Sequence, residues 1–84
     1  MRRVVLYTRE GCCLCDEARE VLLRVRGETA PGFVLEERDI EADERDFHAY
    51  LERIPVVTID GEEAFELFVD EAELRRRLGI VGVE

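Results

Sequence analysis

The sequence predicts an α/β domain running β-α-β-α-β-β-α, a four-stranded mixed sheet with helices on both faces. Three observations predict it. An apolar run, Val4-Val5-Leu6-Tyr7, leads through a short turn into a stretch with helical spacing. A second strand-then-helix pair follows after a Pro/Gly loop. Two β-rich runs then flank Asp60-Gly61, a strong hairpin signal.

Residues 3–8 read as the first strand, because a continuous apolar run suits a strand covered on both faces. A helix follows from about Leu14, with Leu14, Ala18, Val21, Leu22 and Val25 on one side and Asp16, Glu17, Arg19, Glu20, Arg24 and Arg26 on the other. Glu20 and Arg24 have i,i+4 spacing, and Gly27 is a stop. Residues 28–32 have loop chemistry. Residues 33–38 read as a second strand whose charged second half suits a sheet edge. A helix over about 42–53, with Asp39 or Glu41 near its start, carries an inward stripe of Phe47, Tyr50, Leu51 and Ile54, and Pro55 ends it or lies just beyond it. Val56-Val57-Thr58-Ile59 is the third strand. Residues 63–69 return as the fourth, with Phe65, Leu67 and Val69 on one side and Ala64 and Phe68 on the other. Asp70 and Glu73 form a capping-box pattern before a last helix to Leu78, with Leu74 and Leu78 inward and Gly79 as terminator. Arg75-Arg76-Arg77 sits at its C-terminal end, where cations complement the helix dipole.

Eighty-four residues, 46% of them hydrophobic, suit one small domain over 1–84 with no low-complexity segment. A net charge of −9 argues against nucleic acid as a partner, since phosphate binding needs a cationic face. No run reaches membrane-spanning length, and the segment Met1-Arg2-Arg3 with its four apolar followers is too short for a signal peptide. A cytoplasmic monomer is the expectation.

All three cysteines, Cys12, Cys13 and Cys15, fall within four positions of the first strand-to-helix turn. A thiol at a helix start faces unpaired backbone N–H groups and the positive end of the dipole, which favours the nucleophilic thiolate. Cys12 and Cys15 have the Cys-x-x-Cys spacing that lets two sulfurs meet in an opening helical turn. In a reducing compartment such a cluster points to redox catalysis or metal binding rather than a structural crosslink. Zinc usually needs four ligands, and only His48 could add one from this chain. A cluster shared between two chains, a pair of buried core cysteines, or a redox-inactive interaction module are the remaining alternatives. Cys13 has two readings: a bystander pointing away from the pair, which the preference for i,i+3 over i,i+1 contacts favours, or a third thiol that competes for the mixed disulfide or traps an oxidised form.

This order of elements, with Cys-x-x-Cys after the first strand and Ile54-Pro55 before the third, resembles the thioredoxin fold in its minimal, glutaredoxin-like form. Leu6 to Ala18 is similar to the active-site segment of small glutaredoxin-like proteins whose physiological role is unassigned, and Arg53 to Gly61 to the segment bearing that fold's cis-proline. The resemblance implies a thiol–disulfide oxidoreductase with Cys12 as the attacking thiol and Cys15 as the resolving one. It makes Pro55 the cis-proline facing the thiols, and Ile54 a backbone partner for bound peptide or glutathione. It makes Arg9 a contact for a glutathione carboxylate. No resident cofactor or metal is implied. The partner is a disulfide-bearing protein or a glutathione-type thiol, with glutathione a candidate co-substrate. Two departures bear on it. Cys13-Leu14 stands where glutaredoxins usually carry Pro-Tyr, and Ala64 to Phe68 stands where a Gly-Gly pair usually lets the backbone approach glutathione.

Overall fold

The computed structural model describes residues 2–28 and 32–79; Met1 and most of the loop expected over 28–32 lie outside them. Strand β1 spans Arg3–Thr8, helix α1 Cys13–Gly27, and strand β2 Val34–Asp39. A single 3-10 turn, Ile40–Ala42, precedes helix α2 at Glu44–Tyr50. Strands β3 (Val56–Ile59) and β4 (Glu62–Glu66) lead to helix α3 (Glu71–Arg77). The strands form a four-stranded sheet in the order β2-β1-β3-β4. β1 and β2 are parallel, from Arg3 beside Val34 to Thr8 beside Asp39. β3 runs antiparallel to both of its neighbours. The charged β2 is an edge, where its side chains discourage pairing with another chain.

Alternation along the two central strands sends side chains to opposite faces. Val4 and Leu6 of β1, with Val57 and Ile59 of β3, pack against Ala18, Leu22 and Val25 of α1 and Leu74 of α3. On the other face the Tyr7 ring lies 4.5 Å from the Tyr50 ring of α2. Helices therefore cover both faces, as the order of elements predicts. The inward stripe of α1 starts at Cys15, which is fully buried, while Leu14 is 49% exposed. The spacing Cys15, Ala18, Leu22, Val25 keeps one narrow stripe on the sheet, and Leu14 falls off it.

The second helix differs most from its expected span of 42–53. Two aspartates compete to start it. The Asp39 carboxylate accepts the Glu41 N–H at 2.8 Å and caps the 3-10 turn. The Asp43 carboxylate accepts the Arg45 and Asp46 N–H groups at 2.8 and 3.2 Å and caps α2. The helix then ends at Tyr50, and its stripe of Phe47, Tyr50, Leu51 and Ile54 is only half-buried. Full burial goes instead to Ile40 and Pro55 on either side of it.

The hairpin forms at Asp60-Gly61, both in left-handed backbone at φ 52° and 90°. Its corner is tied to the start of β1, since the Arg3 N–H donates to the Asp60 carboxylate at 3.0 Å and the Asp60 N–H to the Arg3 carbonyl at 2.8 Å. The return strand stops at Glu66 rather than Val69 because its register slips. Val57 faces Phe65 while Thr58 faces Glu63, leaving Ala64 as the extra residue of a bulge. Ala64 and Phe65 consequently both lean on the core, and Leu67 and Phe68 are exposed. Leu67 takes a left-handed φ of 74° and donates its N–H toward the Arg53 and Pro55 carbonyls at 3.1 and 2.9 Å.

Asp70 caps α3 by accepting the Glu73 N–H at 3.1 Å. Arg24 does not pair with Glu20 along its own helix. It reaches across to Glu71 at 3.2 Å, and Arg75 joins Glu71 and Glu28 at 2.7 and 2.8 Å. This ion-pair string fastens α3 to α1. Arg76 and Arg77 close on Glu73 at 2.8 and 3.1 Å, so the arginine run is matched within the helix.

Candidate functional site

The thiols lie where β1 ends, at the edge of the sheet that open α/β folds use for ligands. The turn Arg9-Glu10-Gly11 reverses the chain, and Gly11 permits it by adopting a φ of 81°, disfavoured for a residue with a Cβ. The Cys12 N–H donates back to the Arg9 carbonyl at 3.3 Å, and Cys12 then caps α1 in extended backbone. Its sulfur occupies the capping position normally taken by a side-chain oxygen, and it accepts the Cys15 N–H at 3.2 Å. The helix N-terminus thus supplies Cys12 with one direct backbone donor.

The three cysteines are free thiols in different surroundings: Cys12 is half-buried, Cys13 exposed and Cys15 buried. Burial pushes the Cys15 thiol above the usual range, and its hydrogen bond to Cys12 adds to the effect. The Thr8 hydroxyl pulls the other way. Thr8 is itself a buried polar residue at the end of β1. It was not among the sequence candidates, and the one signal that could have found it is its alternation with Val4 and Leu6 toward the α1 face.

Cys12 opens onto a cleft of about 550 Å³ lined by Arg9, Glu10, Gly11, Cys12, Glu41 and Ile54. The structure thus brings Cys12, Arg9 and Ile54 together, with Cys15 directly behind Cys12. The Ile54–Pro55 peptide bond is cis, and Pro55 is fully buried, so Ile54 rather than Pro55 lines the cleft. The Ile54 N–H already donates to the Tyr50 carbonyl at 3.1 Å, which leaves only the Ile54 carbonyl to meet a visitor. Arg9 is engaged as well. Its Nε donates to Glu41 at 2.7 Å, and its guanidinium lies 5.9 Å from the centre of the Phe47 ring. Glu41 was not a sequence candidate either. The parallel register explains its presence, because Thr8 and Asp39 are partners and the residues just beyond them share one rim.

His48, the one histidine, is exposed and lies 3.9 Å from Glu44. Among the described residues no three His, Cys, Asp or Glu side chains gather as a metal site. Likewise, no described helix is long and apolar enough to cross a membrane.

A family model described as "Glutaredoxin-like domain (DUF836)" matches residues 3–79. A glutaredoxin-like protein of Dictyostelium discoideum is 35% identical over 72 residues, covering 81% of this chain and 67% of that protein. Among solved structures, a structural-genomics protein from X. campestris superposes with a TM-score of 0.73 at 30% identity, over 94% of this chain and 99% of that one. A protein of Nitrosomonas europaea gives 0.77 at 29% identity, over 90% and 89%. A mutant thioredoxin from Halobacterium salinarum gives 0.66 at 18% identity over 90% of this chain and 70% of that one, a likeness of fold alone.

Proposed function

Since this chain belongs to the glutaredoxin-like domain family, we propose that it is a thiol–disulfide oxidoreductase in which Cys12 attacks and Cys15 resolves. One observation carries the assignment of roles. The Cys15 N–H holds the Cys12 sulfur at 3.2 Å, with Cys12 open to the cleft and Cys15 fully buried. A substrate disulfide can reach only the first of these sulfurs, and the second has Cys12 as its accessible target.

The Cys12 thiolate attacks one sulfur of a substrate disulfide. A mixed disulfide forms and the first substrate thiolate leaves, taking up a proton. The Cys15 thiol gives up its proton to water or to that leaving group, and its sulfur attacks the Cys12 sulfur. The second substrate sulfur departs as a thiolate that takes its proton from water, and Cys12 and Cys15 are joined. Two electrons pass from the protein dithiol to the substrate, and a glutathione-type or dithiol donor returns them. The raised Cys15 thiol suits this order, because burial disfavours its thiolate and leaves the attack on substrate to Cys12.

The Cys15→Ser variant tests the scheme. Incubated with a disulfide-bearing protein such as insulin, it accumulates a covalent adduct at Cys12 that dithiothreitol releases. Adducts at Cys13 instead, or unchanged insulin reduction by Cys12→Ser, would exclude these roles.

A further inference from the structure

The cleft beside Cys12 is unevenly charged. Arg9 is the cation among its lining residues, and Glu10 and Glu41 oppose it. Arg9 is already bound by Glu41 through a 2.7 Å ion pair and lies over Phe47, so its charge is largely matched before any ligand arrives. Glu10 has no cationic partner among the described residues and is exposed. The Asp39 carboxylate caps the Glu41 amide from beneath the same rim. On the other side of the thiols, Asp16 is matched by Arg19 at 2.8 Å, while Glu17 lines a neighbouring apolar groove with Leu14 and Phe68. The attacking thiolate adds another negative charge, and the chain as a whole carries −9. An incoming disulfide therefore meets a negative field, and the one arginine of the cleft is already shared with Glu41 through its Nε.

Resting on the assignment of Cys12 as nucleophile, we propose that Glu10 and Glu41 make this cleft select disulfides flanked by cationic groups and discriminate against anionic ones such as glutathione disulfide. Each glutathione half carries one more carboxylate than ammonium group. A carboxylate seated on Arg9 shares that one cation with Glu41, whose contact uses only Nε, and lies in the same cleft as Glu10 and the Cys12 thiolate. A disulfide bearing an ammonium or guanidinium near its sulfurs instead places a cation between Glu10 and Glu41 and leaves the Arg9–Glu41 pair whole. The natural substrate class is then the disulfide of a basic polypeptide segment.

The test uses the fully reduced full chain and three small disulfides: dicationic cystamine, neutral bis(2-hydroxyethyl) disulfide and anionic glutathione disulfide. Each single-turnover rate is divided by that of free dithiothreitol with the same disulfide, which removes intrinsic differences between leaving groups. At low ionic strength the normalised rates fall in the order cation, neutral, anion. Each step is roughly threefold to tenfold, the effect of about one charge a few ångströms away at water-like dielectric. Salt at about 0.5 M compresses the spread, because screening then acts within a few ångströms. In the Glu10→Gln, Glu41→Gln double variant the ratio of cystamine to glutathione disulfide drops to within about threefold, by the same Coulomb reasoning. Reaction with all three at equal normalised rates, or fastest with glutathione disulfide, overturns the selection and leaves the redox scheme standing. Failure to react with the neutral disulfide overturns both.

Discussion

The backbone N–H of Cys15 lies 3.2 Å from the sulfur of Cys12, so the buried thiol and the donor that holds the half-buried one belong to the same residue. The sulfurs are therefore positioned by the first turn of α1 itself, and Cys13, one residue on, projects into solvent. Cys13→Ser is expected to reduce insulin at the parent rate to within about twofold, as for a surface substitution away from buried partners. A tenfold loss would place Cys13 inside the exchange.

The resolving step should depend on pH through Cys15. Its folded-state thiol titrates higher than usual, chiefly because burial disfavours the thiolate. With thionitrobenzoate attached to Cys12 in a Cys13→Ser background, release of the chromophore by Cys15 should keep accelerating above about pH 8.5, where an ordinary thiol is already half ionised. Thr8→Val removes the hydroxyl that opposes this rise and moves the acceleration to still higher pH. A release rate that levels off below neutrality would contradict the buried thiol. The same shift affects stability. The neutral Cys15 favoured in the folded state contributes fully below the unfolded thiol's pKa, and its contribution is lost as pH climbs toward the raised folded value.

The core against α1 is expected to be sensitive at one residue and indifferent at the next. Leu22 is fully buried between the sheet and α3, whereas Leu23 is 47% exposed. Leu22→Ala should cost about 2–5 kcal/mol in urea unfolding, from lost transfer energy plus the cavity. Leu23→Ala should remain within about 0.5 kcal/mol. Equal losses would mean that α1 is turned differently on the sheet.

Much of this architecture follows from local sequence. The apolar run of β1, the charged edge β2 and the Asp60-Gly61 corner each carry their physical cause in adjacent residues. So does the strand-turn-helix setting of Cys12 and Cys15. What local sequence left undecided depends on partners distant along the chain. Arg24 has Glu20 at ideal helical spacing, yet Glu71 of α3 offers both carboxylate oxygens at 3.2 and 3.3 Å. The engagement of Arg9 by Glu41 follows from the β1–β2 register, which neither segment specifies alone. The sequence offers Asp39 or Glu41 near the start of the second helix, whereas Asp39 caps only the 3-10 turn and Asp43 caps α2. The bulge at Ala64 overturned a plain alternation through β4, since one extra residue moves every later side chain to the other face.

Leu67 gives a backbone test in the region where glutaredoxins usually carry paired glycines. Its φ of 74° is left-handed, a conformation that costs a residue with a Cβ roughly 1–2 kcal/mol. Leu67→Gly should leave stability unchanged or raise it, while Leu67→Val, closer in hydropathy, should lower it because a β-branched side chain crowds that backbone further. Thermal unfolding of the two variants distinguishes the cases, and the opposite ranking would show that side-chain contacts of Leu67 dominate.

Acid should loosen the tie between α1 and α3. Hydrogen bonds from Arg24 and then Arg75 hold the Glu71 carboxyl below its usual range. A depressed carboxyl stabilises the fold above its unfolded pKa, and that contribution disappears as pH falls through the lower folded value. Glu71→Gln should therefore flatten the acid limb of the stability–pH curve below about pH 4.3, the unperturbed glutamate value. An acid limb identical to the parent's would show the ion-pair string to be energetically silent.

The most direct measurement equilibrates the protein with glutathione buffers of graded redox ratio, quenches it with acid and alkylating agent, and maps the sulfurs by mass spectrometry. The expected result is one intramolecular link, Cys12 to Cys15, whose occupancy follows the buffer ratio identically from the oxidised and the reduced side, with Cys13 alkylated throughout. Cys12 and Cys15 remaining separately alkylated at every ratio, or a link that forms and cannot be reversed, would contradict a protein that exchanges disulfides through this pair.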